Sequence, residues 1–92
     1  MWVIVADHNI VSGKESQAEQ YFQDNTRVMK DAKGFISRQV LKTVQDGNLH
    51  ILTVTAWEHR EDRDGYRSSP AAQGVGGGSD GLFSERPTSG WY

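Results

Sequence analysis

His8, Trp57 and the neighbours Tyr66 and Arg67 are the side chains of this sequence whose types and placement are best suited to chemistry. An imidazole titrates near neutrality, so His8 can take a proton from a phenol; equally, it can be a hydrogen-bonded histidine at a strand end. Trp57 offers a ring on which an aromatic ligand can stack, or a large core residue that seals a strand end. Tyr66 and Arg67 can supply a phenolic donor and an anion clamp at a cavity mouth, or simply pack and solvate a helix. Other chemistries lack their residues. The chain has no cysteine, which removes a thiol nucleophile, a disulfide framework and a Cys-ligated metal. His8, His50 and His59 do not have metal-ligand spacing, so no metal is expected. The glycines at 74 and 76 to 78 are followed by no Lys-Ser/Thr pair and make no phosphate loop.

The elements that must position these residues are legible in outline. Residues 2 to 11 (WVIVADHNIV) are rich in β-branched and aromatic types and predict a strand. Trp2, Ile4, Ala6, His8 and Ile10 share one parity; Val3, Val5, Asp7, Asn9 and Val11 share the other. Both parities begin apolar, as in a central strand covered on two sides whose far end is wetter. Asp7 and Asn9, opposite in parity to His8, are expected to make structural hydrogen bonds.

Ser12-Gly13-Lys14-Glu15 predicts a helix start through a capping box. Ala18, Tyr21 or Phe22, Asn25, Val28 or Met29, and Ala32 then form one apolar stripe, interrupted only at Asn25. Arg27 and Asp31 can pair on its solvated side, and Gly34 marks the stop. Phe35 to Val44 and Leu49 to Trp57 flank Gln45-Asp46-Gly47-Asn48, a strong hairpin signal. In the first of these strands Phe35, Ser37 and Gln39 alternate with Ile36, Arg38 and Val40. The mixed charges from Glu58 to Asp64 fit the solvated face of a short helix over about 59–68, ended by Pro70. The glycine-rich stretch at about 71–81 predicts a loop, Leu82-Phe83 an anchor, and Ser89 to Tyr92 a last short strand.

The chain of 92 residues is 36% hydrophobic and 24% charged, with 12 acidic and 10 basic residues and a formal charge of -2. That length suits a single domain over 1–92. The near-balanced charge gives no broad electrostatic reason to bind nucleic acid. No run of about 18 apolar residues is present, and the opening residues do not read as a signal peptide. The expectation is a cytoplasmic protein without a membrane partner.

The element order predicts a ferredoxin-like β-α-β-β-α-β domain of the α+β class. Helices cover one sheet face, and a homodimer packing two sheets together is the simplest way to bury the other. Five stretches deepen this expectation: Ala6-Asp7-His8 leading to Ser12-Gly13-Lys14-Glu15; Gly34-Phe35; Thr55-Ala56-Trp57-Glu58; Tyr66-Arg67-Ser68-Ser69-Pro70-Ala71; and Leu82-Phe83-Ser84-Glu85-Arg86-Pro87 before Trp91-Tyr92. Together they resemble the antibiotic biosynthesis monooxygenase family of dimeric α+β barrels.

The resemblance implies a dimeric barrel and a range of activities. These include oxidation of anthrone-like, phenolic or quinol compounds by molecular oxygen without metal or flavin, as well as haem degradation and sugar-phosphate isomerisation. The cofactor-free oxygenases fit these residues best, because an electron-rich phenolate can reduce oxygen itself. The protein then needs an apolar pocket with one or two polar groups. His8, Trp57, Thr53 and Tyr66 are the implied catalytic set, with no cofactor and a small aromatic substrate. Two departures matter. Haem-degrading relatives place an axial histidine where this chain has Arg67, and the best understood cofactor-free oxygenase has an asparagine where it has Thr53. A hydroxyl donates one hydrogen bond with less reach than an amide. A non-catalytic binder or accessory protein of the same fold, and an isomerase or cyclase on this scaffold, are the alternatives.

Overall fold

Strand β1 (Trp2–Asn9) lies inside an antiparallel four-stranded sheet of order β2-β3-β1-β4, in a computed structural model that describes residues 1–76 and 81–92. The other strands are β2 (Phe35–Gln45), β3 (Asn48–Trp57) and β4 (Thr88–Trp91), and the helices are α1 (Glu15–Met29), α2 (Arg60–Arg67) and α3 (Pro70–Gly76). β1 and β3 pair from Trp2↔Trp57 to Asn9↔His50, which places Ile4, Ala6 and His8 beside Thr55, Thr53 and Ile51 on one face. On the far side of β1, Ser89 and Trp91 pair with Ala6 and Ile4. Tyr92 continues the ladder, its amide donating to the Val3 carbonyl at 2.6 Å.

The hairpin turns as the Asp-Gly pair requires. Asp46 and Gly47 have φ of 54° and 81°, the double positive that matches the twist of the flanking strands. One alternation fails. A bulge between Phe35 and Ser37 sets Phe35 opposite Trp57 and Ser37 opposite Ala56, so Phe35 leaves the face of Ser37 and joins that of Arg38 and Val40. There its ring meets Trp57 edge-on at 5.9 Å.

The helix ends also differ from the sequence pattern. Lys14, not Ser12, is the N-cap of α1, and the Glu15 carboxylate accepts from the Gly13 amide at 2.9 Å. Arg27 pairs with Asp24 at 3.2 Å rather than with Asp31. Gly34 has φ 81°, and a Cβ there would collide with the Asp62 carboxylate, which accepts from the His59 amide at 3.1 Å to open α2. The expected loop over 71–81 gives way to α3 up to Gly76, while residues 77–80 lie outside the described residues. Pro70 stands where its missing N–H is unneeded, and Ser69 Oγ caps the helix by accepting from the Ala72 amide at 3.2 Å. Ser69-Pro70 therefore starts a helix as well as ending one.

Two apolar clusters form where helices meet the sheet. One joins Ile4, Met29, Trp57, Tyr66 and Ala72; the other joins Ile10, Ala18, Phe22, Ile51 and Leu82. Full burial of each large side chain contributes about 1.5–3 kcal/mol. Outside the first cluster, the Arg60 guanidinium lies 5.5 Å from the Trp2 ring and 5.0 Å from the Trp91 ring, tying α2 to β1 and β4.

The ferredoxin-like order is present, but the barrel is not. The sheet is open: β2 and β4 are its two edges, separated by β3 and β1, and they do not pair. The expected dimeric barrel is thus corrected to an open α+β sandwich, with Val3, Val5, Leu52 and Val54 half-buried on the face away from the helices. Among the described residues, no helix is long and apolar enough to cross a membrane.

Candidate functional site

Between the two apolar clusters lies a cavity of about 380 Å³. Its sheet wall comes from alternate residues of β1 and β3: Ile4, Ala6 and His8 beside Thr53, Thr55 and Trp57. Period-two alternation puts all six on the helix side, and a small residue at Ala6 keeps the centre of that wall shallow. His8, Thr53, Trp57 and Tyr66 therefore share one cavity, and Arg67 reaches its rim. Tyr21 and Phe22 line it from α1, and Phe83 from the segment before β4.

His8 is half-buried and oriented. Its Nδ1 lies 2.9 Å from the Ile51 carbonyl oxygen, which can only accept, so Nδ1 carries the proton. In the neutral ring Nε2 is then the nitrogen with the free lone pair. Burial pushes the His8 pKa below its ordinary 6.5, against the Ile51 hydrogen bond that favours the charged form, and the Arg38 charge pushes the same way as burial. Phe22 packs edge-on at 4.7 Å and Phe83 tilts over the ring at 5.2 Å.

Thr53 and Thr55 are buried, at 5% and 4% exposure. Trp57 is closed in at 1%, between Phe35 and Tyr66, whose ring centroid is 6.1 Å away. Its indole N–H is buried with no acceptor among the described residues. Trp57 is thus both core and cavity wall. Tyr66 is equally dual: it belongs to the apolar cluster, yet its hydroxyl accepts from Asn25 Nδ2 at 3.1 Å. Burial raises the Tyr66 pKa, partly offset by the charge of Arg38.

Arg38 and Asn25 are cavity residues that belong to none of the sequence motifs. Arg38 sits on β2, donates to Asn25 Oδ1, and points a second contact at Met29 Sδ, 3.5 Å away. Both had a signal in the sequence: Asn25 is the one polar break in the α1 stripe, and Arg38 the one charge between Ile36 and Val40. Each break makes sense only beside the other. Arg63 and Arg86 complete the rim with Arg67. The remaining histidines serve elsewhere. His50 Nδ1 pairs with Asp7 at 2.9 Å, and His59 is the N-cap of α2. Asn9 bonds Glu85 at 3.2 Å.

This open sandwich with a cavity under its helices has counterparts of known structure. A protein of Nitrosomonas europaea superposes with a TM-score of 0.88 at 12% identity, covering 99% of this chain and 86% of that one. A conserved protein from Methanosarcina mazei gives 0.85 at 11% identity, over 99% and 89%. SnoaB, a cofactor-independent oxygenase from Streptomyces nogalater, gives 0.80 at 14% identity, over 99% and 90%. At such identities the likeness establishes the fold. A comparison with curated proteins returns no match. The profile of one family does match in sequence, over residues 1–75, and that span carries β1 through α2, all but the last residue of α3, and most of the cavity wall. This chain belongs to the antibiotic biosynthesis monooxygenase family.

Proposed function

We propose that the cavity oxidises a phenolic, anthrone-like or quinol substrate with molecular oxygen, without metal or flavin. Membership in the family supports a monooxygenase-type activity in general, and the fold shared with a cofactor-independent oxygenase is consistent with it. The observation that carries the reading is the state of His8. Its Nδ1–H is committed to Ile51, its pKa is lowered, and Nε2 is left to a ligand beside aromatic walls. A neutral imidazole with one fixed hydrogen bond is a poised general base.

An anthrone-like ring reacts as its phenolic tautomer, in which one hydrogen of the ring CH2 has moved to the oxygen. His8 takes that proton, and the resulting anion passes one electron to oxygen. Radical and superoxide combine into a C–O bond, and the peroxide loses its outer oxygen as water. The ring CH2 becomes C=O; its two hydrogens leave in the water, the last proton returning from His8. The substrate supplies all four electrons, so the balance needs no further reductant. In this reading Trp57 stacks on the ring, Thr53 and Tyr66 hydrogen-bond its oxygens, and the aromatic walls shelter the radical pair.

Oxygen uptake by metal-free protein, over a panel of anthrones, naphthols and benzene-diols, tests this. Uptake well above autoxidation that falls about 100-fold in His8→Ala is the expected outcome. Uptake at the autoxidation level across the panel would leave a binder without turnover and overturn the reading.

A further inference from the structure

The cavity has an electrostatic asymmetry that the oxidation chemistry does not explain. Four arginines line it, Arg38 inside and Arg63, Arg67 and Arg86 toward the rim, and among the described residues no aspartate or glutamate does. The chain as a whole carries more acidic than basic residues, so this is a local selection of sign. Arg38 is the sharpest case. Among the described residues its guanidinium bonds only to an amide oxygen and a thioether sulfur, and its Nε is buried with no partner. The ion pairs of the described residues do not include it. A half-buried cation with no anion beside it is costly, and a ligand that supplies the missing charge would offset that cost.

The rim repeats the pattern. Arg63 and Arg67 stand one turn apart on α2, an arrangement that destabilises a helix by repulsion. Burial and the charge of Arg67 lower the Arg63 pKa, against a smaller opposing effect of Asp64. Tyr21, Phe22, Trp57 and Phe83 add aromatic surface to the same lining.

We infer that the cavity selects an aromatic ring bearing a carboxylate, that Arg38 is the counter-ion of this group, and that Arg63 and Arg67 draw the anion in. The inference rests on the aromatic-site reading above and names the substrate class for it. A planar guanidinium matches a carboxylate with two parallel hydrogen bonds, and Arg38 has Nε still to give. A charged group fixed at Arg38 also orients the ring, so that a phenol elsewhere on it can be presented to His8.

The test is binding without turnover, by calorimetry under argon, with 2-naphthoate against its neutral counterpart 2-naphthamide. The acid is expected to bind at least tenfold tighter than the amide in the wild-type protein. Arg38→Met should bring the two to parity while the amide keeps its affinity, which shows that the variant is folded. Arg63→Gln with Arg67→Gln should keep a preference but flatten its dependence on salt. Equal binding of acid and amide by the wild type, or an undiminished preference in Arg38→Met, overturns the inference. If Arg38→Met binds neither probe, Arg38→Lys decides: a reduced preference supports the inference and a full one overturns it. Acid preference without oxygen uptake would sink the oxygenase reading alone, and uptake on neutral phenols without acid preference would sink this inference alone.

Discussion

The two apolar clusters under the helices are built on the same strands, yet they resolve burial in opposite ways. Around Ile10, Ala18, Phe22, Ile51 and Leu82 the inward side chains are hydrocarbon, and the chain is stitched shut by the Ile10↔Phe83 bridge and the Val11 amide on the Leu82 carbonyl at 2.8 Å. Around Ile4, Met29, Trp57 and Tyr66 three of the four large buried residues carry a heteroatom, and Arg38 and Asn25 reach in beside Met29 and Tyr66. One end of the molecule holds the fold, and the other gives up dry packing for a cavity that can meet a ligand. The difference teaches that stability and recognition are divided along β3, between Ile51 and Thr53.

The comparison breaks most visibly if the dry end is emptied. Ile51→Ala, at a fully buried site, should cost about 2–5 kcal/mol in a urea titration. Thr53→Val, two residues along the same face, should stay within about 1 kcal/mol. Equal losses would erase the distinction.

Next comes Gly34, which joins the cavity end to the rest. Gly34→Ala must hold a positive φ and displace Asp62, for an expected loss of about 1–3 kcal/mol. A midpoint unchanged from wild type would show that α2 does not depend on this contact. Arg38→Met sharpens the contrast from the other side. Its urea midpoint should equal or exceed that of the wild type, because a half-buried charge with no counter-ion among the described residues is removed. A clear loss of stability would make Arg38 a structural residue.

The finest probe is pH. With its pKa below 6.5 in the folded state, His8 binds its proton more readily in the unfolded chain. Its contribution to stability is therefore fully present above pH 6.5 and is lost as pH falls from there through the lowered folded pKa. An NMR titration of the His8 ring should show a midpoint below 6.5. A midpoint at or above 6.5 contradicts the poised-base assignment.

What the sequence made legible was whatever rests on local periodicity. The alternation of β1, the Asp46-Gly47 turn and the stripe of α1 are short-range patterns, and each survives in the structure. The bulge after Phe35 escaped because a strand's parity shows no sign of an extra residue until its partner is known. Ser69-Pro70 was misleading for a related reason, since the same dipeptide ends one helix and caps another. The barrel was an expectation about closure, and closure depends on which edges meet. His8, Trp57 and Tyr66 stood out by type and position and Thr53 only through the family resemblance, whereas Arg38 and Asn25 are meaningful only as a pair 13 residues apart that meets in space.

The clasp of Arg60 between Trp2 and Trp91 has an optical consequence. The chain has 3 tryptophans; two share this cation at the strand ends, and the third forms the cavity wall. Trp2 is 44% exposed and Trp57 1%, so their emission should differ in wavelength. Fraying of the terminal strands would alter the long-wavelength part of the spectrum, and an occupied cavity the short-wavelength part. The unlabelled protein thus carries two spectrally separable gauges, one for its ends and one for its centre.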